Sequence, residues 1–275
     1  NTRDEDFVSQ LFIATTHDSL LFFTNKGKVY HRKVYEVPEG GRTARGTALV
    51  NLIEIQRDEQ VTAVIPVGSF EQGGDLLMCT REGLVKRTAL SEFAHIRRGG
   101  LIALFLEEGD ELVAVELTTG TGDVLLVTQR GQAIRFPVAE VRTMGRSARG
   151  VIGIRLDEGD HVVGMQVVAQ EDADLLVVTE RGFGKRTRLQ EFRGQGRGGK
   201  GIRAITVSAR NGMVAGFALV RPGEEVVLVS QGGIILRVPV DQVSVQGRAA
   251  QGVTLMRLEP GDRLAGVATL PQRSQ

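Results

Sequence analysis

Residues 179–187 read T-E-R-G-F-G-K-R-T, and the recurrence of the first four positions decides the fold. Residues 179–182 form a [TS]-x-x-G pattern, which the chain repeats at 24–27, 80–83, 128–131 and 230–233. We call the last residue of each pattern the anchor glycine. Successive anchor glycines are 56, 48, 51 and 51 residues apart. A period near 50 residues predicts an architecture built from repeated supersecondary units.

A second glycine recurs in every period and opens an apolar run such as G-V-I-G-I-R-L or G-V-T-L-M-R-L. These second glycines are Gly46, Gly100, Gly150, Gly201 and Gly252. Acidic turns follow at 57–59, 108–110, 158–160 and 260–262, and the fourth copy is altered to A-R-N at 209–211. The constant order of these features favours one structural unit that recurs along the chain.

Each period contains four short segments rich in Val, Ile and Leu. In the third repeat they are 112–117, 124–127, 133–138 and 151–156. They are too short for helices and are bounded by Gly, Asp and Thr, so we expect β-strands. Four strands per unit of this length predict an all-β propeller built from blades. Two unrelated β-sandwiches would also contain this number of strands, but they would not explain why the same features recur five times at a near-constant spacing.

We predict a single domain over 1–275, with repeats at about 6–57, 59–108, 110–158, 160–209 and 211–261 and a closing strand at 262–270. Residues 6–13 resemble 110–117, and the closing strand resembles them again. This strand therefore occurs six times, whereas the hairpin that carries the anchor glycine occurs five times. We expect the chain to begin inside a repeat.

Composition indicates an ordinary globular protein, with 41% apolar and 24% charged residues. The lone cysteine, Cys79, cannot form an internal disulfide, which favours a cytosolic protein. No apolar run approaches the roughly 18 residues that cross a bilayer, and the N-terminal residues do not have the pattern of a signal peptide. We expect no membrane role.

The near-neutral net charge of +1 hides two opposite populations. Five windows run from the residue before each anchor glycine to the second glycine: 26–46, 82–100, 130–150, 181–201 and 232–252. They hold 24 Lys and Arg against seven Asp and Glu, whereas the rest of the chain holds ten against 26. Because blades are equivalent by rotation, we expect the windows to form a basic band. A periodic band of cations suits a long polyanion better than a small ligand.

The cations recur at two places within the windows. The position four residues after the anchor glycine is His31, Arg87, Arg135, Arg186 or Arg237, and the loop before the second glycine holds one or two further cations in each repeat. The candidate DNA-binding residues are Arg42, Arg45, Arg87, Arg97, Arg98, Arg135, Arg146, Arg149, Lys185, Arg186, Arg193, Gln195, Gly196, Arg197, Gly198, Gly199, Lys200, Gly201, Arg237 and Arg248. The alternative is that these cations are solvated or paired with the acidic turns.

The loop at 195–201 reads Q-G-R-G-G-K-G, with four glycines and two cations. Glycines allow close approach of the backbone to a phosphate and expose N–H donors. A nucleotide-binding P-loop is excluded, because the lysine is followed by Gly201 and a strand instead of a hydroxyl residue and a helix. The chain has no Trp and only two Tyr for stacking on bases, so duplex DNA is a better candidate than a single strand.

Other functions find less support. The four histidines lie in different repeat contexts, and no Cys or His pair has metal-ligand spacing, so we expect no catalytic site, metal or cofactor. A recurrent glutamate at 36, 92, 140 and 191 indicates pairing with nearby cations. A protein-binding propeller scaffold stays open as an alternative function.

Three sequence motifs and the loop at 195–201 resemble the C-terminal domain of the DNA gyrase A protein. The motifs are E-R-G-F-G-K-R-T at 180–187, K-V-Y-E-V-P at 33–38 and V-x-G-R-x-x-Q-G-V at 245–253. The resemblance covers essentially the whole chain. It implies a six-bladed β-pinwheel whose blades exchange strands. It also implies wrapping of duplex DNA around a basic rim, which supports negative supercoiling by an ATP-dependent type II topoisomerase.

The resemblance implies further partners and a location. The partners are duplex DNA, the gyrase A catalytic core and gyrase B, and the location is the bacterial cytoplasm at the nucleoid. We expect the isolated domain to be a monomer. The related C-terminal domain of topoisomerase IV is the alternative within this group.

The chain departs from the family in one motif. The diagnostic Q-R-R-G-G-K-G box belongs to a first-blade hairpin that would precede Asp6, and the copy at 195–201 has Gly196 where the box has Arg. We therefore expect the chain to contain the hairpins of five blades.

Overall fold

The computed structural model describes residues 14–41 and 45–270, which form 19 strands and six short 3₁₀ helices. The strands are β1 (Ser19–Thr24), β2 (Lys28–Lys33), β3 (Val61–Val67), β4 (Asp75–Thr80), β5 (Leu84–Ala89), β6 (Leu101–Ile102), β7 (Leu112–Thr118), β8 (Asp123–Thr128), β9 (Gln132–Pro137), β10 (Val151–Ile152), β11 (Val162–Val168), β12 (Asp174–Thr179), β13 (Phe183–Arg188), β14 (Ile202–Arg203), β15 (Val214–Val220), β16 (Glu225–Ser230), β17 (Ile235–Pro239), β18 (Val253–Thr254) and β19 (Leu264–Leu270). The 3₁₀ helices are Val34–Glu36, Leu49–Asn51, Leu90–Phe93, Val138–Glu140, Leu189–Glu191 and Val240–Gln242. No helix within these residues is both long enough and apolar enough to cross a bilayer.

The strands form five antiparallel sheets, of which the first four share one four-stranded topology and the fifth has three strands within the described residues. The strand orders are β3-β1-β2-β6, β10-β5-β4-β7, β11-β8-β9-β14, β15-β12-β13-β18 and β17-β16-β19, which we number as sheets 1 to 5. Each sheet is centred on a hairpin and adds the seven-residue strand that follows along the chain. The prediction of an all-β fold with five hairpin repeats is confirmed.

The anchor glycines close the five hairpins. In the third repeat, the amide of Gly131 donates to the carbonyl oxygen of Thr128 (3.1 Å), and the Thr128 hydroxyl accepts from the amide of Gln132 (3.1 Å). Gly131 has φ +86°. A side chain at such a φ is strained, so the [TS]-x-x-G pattern is explained by a turn that requires both a hydroxyl cap and glycine.

The second glycines allow neighbouring repeats to exchange strands. After Gly150, β10 pairs with β5 of the preceding repeat rather than with its own hairpin. A Cβ on Gly150, which has φ +97°, would lie 2.5 Å from the carbonyl oxygen of Val85. The glycine is therefore needed for the close approach of one backbone to another. Strands β6, β14 and β18 dock in the same way.

The described residues group into two compact units. Unit 1 contains 14–121 (without 42–44) and Val138–Gly153, which carry sheets 1 and 2. Its main core includes Phe23 and Phe93, whose rings meet edge to face with centroids 6.1 Å apart. Tyr30 anchors a second cluster with Leu20 and Ile53.

Unit 2 contains Gly122–Pro137 and 154–270, which carry sheets 3 to 5. One core cluster is built around Leu125, Val177 and Phe192, and another around Leu176, Leu228 and Met256. Strand β12 is buried along nearly its whole length, because its alternate side chains enter the two clusters on either side of sheet 4. This double burial explains why the central strand of a hairpin is a continuous apolar run. The prediction of one domain over 1–275 stays a prediction.

Sheet 5 has three strands within the described residues. The two-residue strand that covers the hairpin in the other sheets does not occur beside β17 in this part of the chain, where Ile234, Ile235 and Leu236 are exposed. The second-glycine segment of the first repeat, at 46–51, lies in no sheet and ends in the exposed 3₁₀ helix Leu49–Asn51.

The predicted strands of the third repeat agree with the structure except for the last. Strands β7, β8 and β9 lie within one residue of the predicted bounds, but the expected strand at 151–156 is only Val151–Ile152. From Gly153 onward the chain leaves the sheet, and Ile154 is apolar because it enters the core. The predicted strand at 6–13 lies outside the described residues, whereas the strand predicted at 262–270 is β19.

Candidate nucleic-acid interface

Four basic loops precede the second glycines. We define loop 1 as 95–100, loop 2 as 142–150, loop 3 as 193–201 and loop 4 as 244–252. Loops 1 and 2 belong to unit 1 and loops 3 and 4 to unit 2. The corresponding segment of the first repeat includes Arg42, which lies outside the described residues, and Arg45, which is exposed.

The loops are fixed to the preceding hairpin through their backbone. The amides of Met144, Gln195 and Gln246, in loops 2, 3 and 4, each donate to a hairpin carbonyl oxygen at 2.8 Å. The acceptors are the residues four after the anchor glycine, namely Arg87, Arg135 and Arg186. In loop 1, a Cβ on Gly100 would lie 2.8 Å from the Tyr30 ring. The basic loops are thus held at equivalent positions of successive sheets.

Most predicted loop cations reach solvent. The side chains of Arg98, Arg149 and Lys200 are 82%, 63% and 78% exposed. Arg97 and Arg193 are also exposed, while Arg146, Arg197 and Arg248 are partly buried. Sequence reasoning missed further exposed arginines, among them Arg142, Arg188 and Arg203. The first two lie within the basic windows and could have been found by the same charge count.

The exposed cations make long ion pairs with acidic residues of the preceding repeat. Arg98 pairs with Glu54 at 3.6 Å, Arg149 with Glu107 at 3.3 Å and Lys200 with Asp157 at 3.6 Å. Pairs that are this long and this exposed contribute about 0–1 kcal/mol and are screened by salt. An arriving phosphate can therefore replace the carboxylate at little cost.

The predicted arginines four residues after the anchor glycine have a different environment. Arg87 pairs with Asp75 at 2.5 Å, Arg135 with Asp123 at 2.7 Å and Arg186 with Asp174 at 3.3 Å. Their side chains are only 16%, 8% and 10% exposed. Each acid is the first residue of the hairpin's central strand, 12 positions earlier, so the antiparallel register brings the pair together on one face.

These arginines also bind the chain that leads into the next loop. The guanidinium groups of Arg87, Arg135 and Arg186 donate to carbonyl oxygens at 141, 192 and 243 respectively. Arg135 makes a further ion pair with Glu171. Although burial opposes it, hydrogen bonding to the two carboxylates raises the pKa of Arg135, so its charge is retained. The three arginines therefore support the loops from beneath.

In the other two repeats, the residue four positions after the anchor glycine has an environment different from that of these three arginines. Arg237, in sheet 5, is 51% exposed and pairs with Glu225. His31 is partly buried, and its ring meets Phe70 edge to face at 5.6 Å. Burial lowers the pKa of His31, and the neighbouring Lys33 adds to this effect. His31 is therefore neutral at pH 7 and contributes no charge to the band.

The predicted DNA contact Lys185 is fully buried. Its Nζ donates to the carbonyl oxygens of Gly247 (2.6 Å) and Arg248 (2.8 Å) in loop 4. Lys86, which sequence reasoning did not select, occupies the same position of its repeat and is also fully buried. Both lysines stand three residues after an anchor glycine. This shared position in the repeat could have identified Lys86 from the sequence.

The acidic turns have a structural role. Asp110 Oδ1 accepts hydrogen bonds from the amides of Glu82 (3.0 Å) and Glu111 (2.8 Å), which fixes the tip of the hairpin in sheet 2. Asp160 does the same for Arg130 and His161. These two carboxylates are buried and are committed to backbone amides, so they are not the ion-pair partners of the loop cations.

The glycine-rich loop 3 has a backbone that few residues other than glycine adopt. Gly198 and Gly201 have φ +84° and +77°, and a Cβ on Gly201 would lie 2.4 Å from the carbonyl oxygen of Ala133. The carbonyl oxygens of Gly198 and Gly199 accept from the side chain and the amide of Arg155, respectively. The loop is therefore ordered by the hairpin of the preceding repeat and by Arg155, while Lys200 and Gly196 remain exposed.

An open groove of about 670 Å³ lies between loops 3 and 4 in unit 2. Its lining includes Arg203, Arg248 and Glu191. A second groove, of about 780 Å³, is lined by three arginines and three acidic residues and has no net charge. The first groove is therefore the better fit for a polyanion.

The sequence and the fold are similar to those of known proteins. The chain matches the family described as "DNA gyrase C-terminal domain, beta-propeller" over residues 18–67, 74–119, 122–169, 173–221 and 224–271. It is 48% identical over 270 residues to the DNA gyrase A protein of Staphylococcus epidermidis, and the match covers 98% of this chain and 30% of that protein. The chain thus spans less than a third of the curated relative it matches.

Two solved structures share the architecture. The crystal structure of the C-terminal domain of DNA topoisomerase IV superposes with a TM-score of 0.87 and 32% identity, over 93% of this chain and 80% of that chain. The structure of a DNA gyrase A C-terminal domain superposes with a TM-score of 0.81 and 27% identity, over 94% and 84%. The resemblance noted from the repeat motifs is confirmed.

Proposed function

Because the chain belongs to the family of DNA gyrase C-terminal domains, we propose that it binds duplex DNA and holds it bent along its basic loops. In this role it is an accessory domain of an ATP-dependent type II topoisomerase and supports negative supercoiling. Its partners are the gyrase A catalytic core and gyrase B, and it works in the bacterial cytoplasm at the nucleoid.

The observation that carries the proposal is the recurrence of exposed cations on the basic loops. Arg98, Arg149 and Lys200 stand one or two residues before the second glycine in three successive repeats. All three are more than half exposed. A set of charges that recurs with the repeat matches a ligand whose own charges recur, as phosphates do along a duplex.

Electrostatics favours exchange of the existing ion pairs for phosphate contacts. Each loop cation that binds a phosphate releases a condensed counterion, whereas its carboxylate partner on the protein is well solvated. Several such contacts are needed, because bending a site of 20–30 base pairs by 40–90° costs on the order of 1–6 kcal/mol. Loops on consecutive sheets of each unit supply these contacts one after another.

The buried cations contribute in a different way. Arg87, Arg135, Arg186 and Lys185 are held in ion pairs or by backbone carbonyl oxygens beneath the loops. For them to contact phosphate directly, a buried carboxylate or carbonyl group would have to lose its partner. We therefore assign phosphate contact to the exposed cations and support of the loops to the buried ones.

The test is a titration of a fluorescein-labelled, mixed-sequence DNA duplex of about 40 base pairs at several salt concentrations. If six to ten phosphates are contacted, affinity should fall by roughly 10³- to 10⁵-fold between about 50 and 200 mM salt. Arg197→Ala with Lys200→Ala should weaken binding of any sequence and lower the salt slope by about 2, since each phosphate contact contributes about 0.9.

The matched control is Arg257→Ala with Arg263→Ala, which removes two exposed cations of unit 2 that lie outside the basic loops. Its affinity and salt slope should equal those of the unmodified chain. Absence of binding, or binding that does not depend on salt, would overturn the proposal. Equal losses in the two double variants would show that net charge, rather than the loops, governs binding.

A further inference from the structure

Two buried lysines hold basic loops of the following repeat through the loop backbone. The Nζ of Lys86 donates to the carbonyl oxygen of Ala103 (3.0 Å) and to that of Arg146 in loop 2. The Nζ of Lys185 donates to the carbonyl oxygens of Gly247 and Arg248 in loop 4. In both cases an ammonium group beneath the loop binds the backbone of the loop's own arginine.

Packing alone does not require lysine at this position of the repeat. The equivalent residues are Tyr30 in sheet 1, Ile134 in sheet 3 and Leu236 in sheet 5. Ile134 is as deeply buried as the two lysines, and sheet 3 has the same topology as its neighbours. An ammonium group in such a site is costly to desolvate. Its presence therefore needs a reason other than the stability of the sheet.

Within the described residues, no carboxylate is hydrogen-bonded to either amine. Desolvation lowers the pKa of Lys86 and of Lys185 to about 8, although Glu92 and Glu191, respectively, raise it. The other charged groups that face them are Arg146 and Arg248, which lower the pKa further. Both amines therefore carry a proton at pH 7 and rely for partners on backbone carbonyl oxygens, which lie in loops 2 and 4 except for that of Ala103.

Loop 3 shows what the arrangement is like without the lysine. Its amide at Gln195 bonds to the hairpin in the same way as Met144 of loop 2 and Gln246 of loop 4. Beneath it, Ile134 offers no donor, and loop 3 is fixed instead by Arg155 and by its glycines. Loops 2 and 4 carry fewer glycines and have the buried ammonium group.

We propose that Lys86 and Lys185 are positioning residues that hold loops 2 and 4 in the conformation in which their arginines contact phosphate. Each lysine binds the backbone of an arginine whose guanidinium group donates to a carbonyl oxygen of a short docked strand, Arg146 to Ile102 at 3.4 Å and Arg248 to Arg203 at 3.3 Å. The inference rests on the proposed binding of duplex DNA. It adds that the ordering of two loops is done by ammonium groups that the DNA does not touch.

The experiment compares the 275-residue chain with its Lys86→Met, Lys185→Met double variant, using the same labelled duplex at fixed salt between about pH 7.0 and 9.5. Loss of loop order at neutral pH should weaken binding by roughly tenfold, which is the scale of ordering a few side chains at an interface. In the unmodified chain, affinity should fall severalfold as the pH rises through about 8, because a neutral amine forms weaker hydrogen bonds than a charged one. The double variant should show no such fall.

Ile134→Met is the matched control, since it places the same side chain at the equivalent position of a sheet that has no lysine there. It should bind like the unmodified chain and keep its pH profile. Hydrogen exchange of the loop amides gives a second readout without DNA. Loops 2 and 4 should lose protection in the double variant, and loop 3 should not.

The outcomes separate the two claims. If the unmodified chain binds with steep salt dependence while the double variant binds equally well with the same pH profile, the positioning role is refuted and the proposed function stands. If the unmodified chain does not bind duplex DNA, both fail. If the double variant does not fold, amide hydrogen exchange of the unmodified chain is measured as a function of pH instead. Above about pH 8, loops 2 and 4 should lose protection relative to loop 3. Unchanged relative protection would refute the proposal.

Discussion

Replacing Lys86 and Lys185 by methionine should remove a pH dependence from the stability of the chain. Both side chains are 0% exposed, so solvent screening does not reduce the effect of their burial. Desolvation lowers the pKa of each from 10.5 to about 8 in the folded state. The ordinary value applies once the chain unfolds.

The sign follows from proton binding. Between pH 8 and 10.5 the unfolded state binds more protons than the folded state, so the free energy of unfolding rises with pH. One unit of pKa difference corresponds to about 1.4 kcal/mol. Each lysine should therefore add about 2 kcal/mol between about pH 7 and about pH 9.5. Stability should increase over the range in which DNA affinity decreases.

The assay is urea unfolding followed by far-ultraviolet circular dichroism, since the chain contains no Trp. At each pH the free energy of unfolding of the double variant is subtracted from that of the unmodified chain. This difference cancels the effects of Cys79 and Tyr30, whose pKa values are raised by burial and which act in the opposite direction. A difference that stays constant from about pH 7 to about 9.5 would refute the reasoning, because it would mean that neither amine changes its protonation on folding.

Two further predictions concern the repeat itself. Gly201→Ala should lower the melting temperature by an amount equivalent to at least about 1 kcal/mol, because Gly201 has a positive φ and a Cβ there would meet the Ala133 carbonyl oxygen. Gly194→Ala should leave the melting temperature unchanged, because a Cβ at Gly194 would have nothing within 4 Å. Equal melting temperatures would contradict this account of the second glycine. Arg135→Met should cost about 3 kcal/mol by leaving Asp123 without its partner, while Arg237→Met, at a half-exposed pair, should cost less than about 1 kcal/mol in the same urea assay. Similar costs for the two would disprove the distinction between buried and exposed arginines.

The hairpins could be predicted because their turns depend on local chemistry. A hydroxyl followed three residues later by a glycine closes a turn through contacts within about five residues, as at Thr128 and Gly131. The length of the last strand was overestimated, since Ile154 is apolar for a reason unrelated to strand pairing. An apolar residue reports burial, and burial alone does not distinguish a strand from a segment that enters the core.

The candidate site could be predicted only in part. The charge count located the loops, and exposed residues such as Arg98 and Lys200 were among those selected. It could not separate them from Arg135 or Lys185, which belong to the same windows and carry the same charge. Whether an arginine pairs with an acid 12 residues earlier depends on hairpin register, and whether a lysine is buried depends on the loop that covers it.

The amino-acid sequence by itself determined the repeat, the five hairpins and the segregation of positive from negative charge, because each of these is written in residues close together along the chain. Only the tertiary structure decided which cations face solvent and which lie beneath the loops. The physical reason is that strand exchange places the loop of one repeat over the hairpin of the repeat before it. Residues 60 positions apart, such as Lys86 and Arg146, thereby become neighbours, and the cost of burying a charge is met by carbonyl groups from the next repeat.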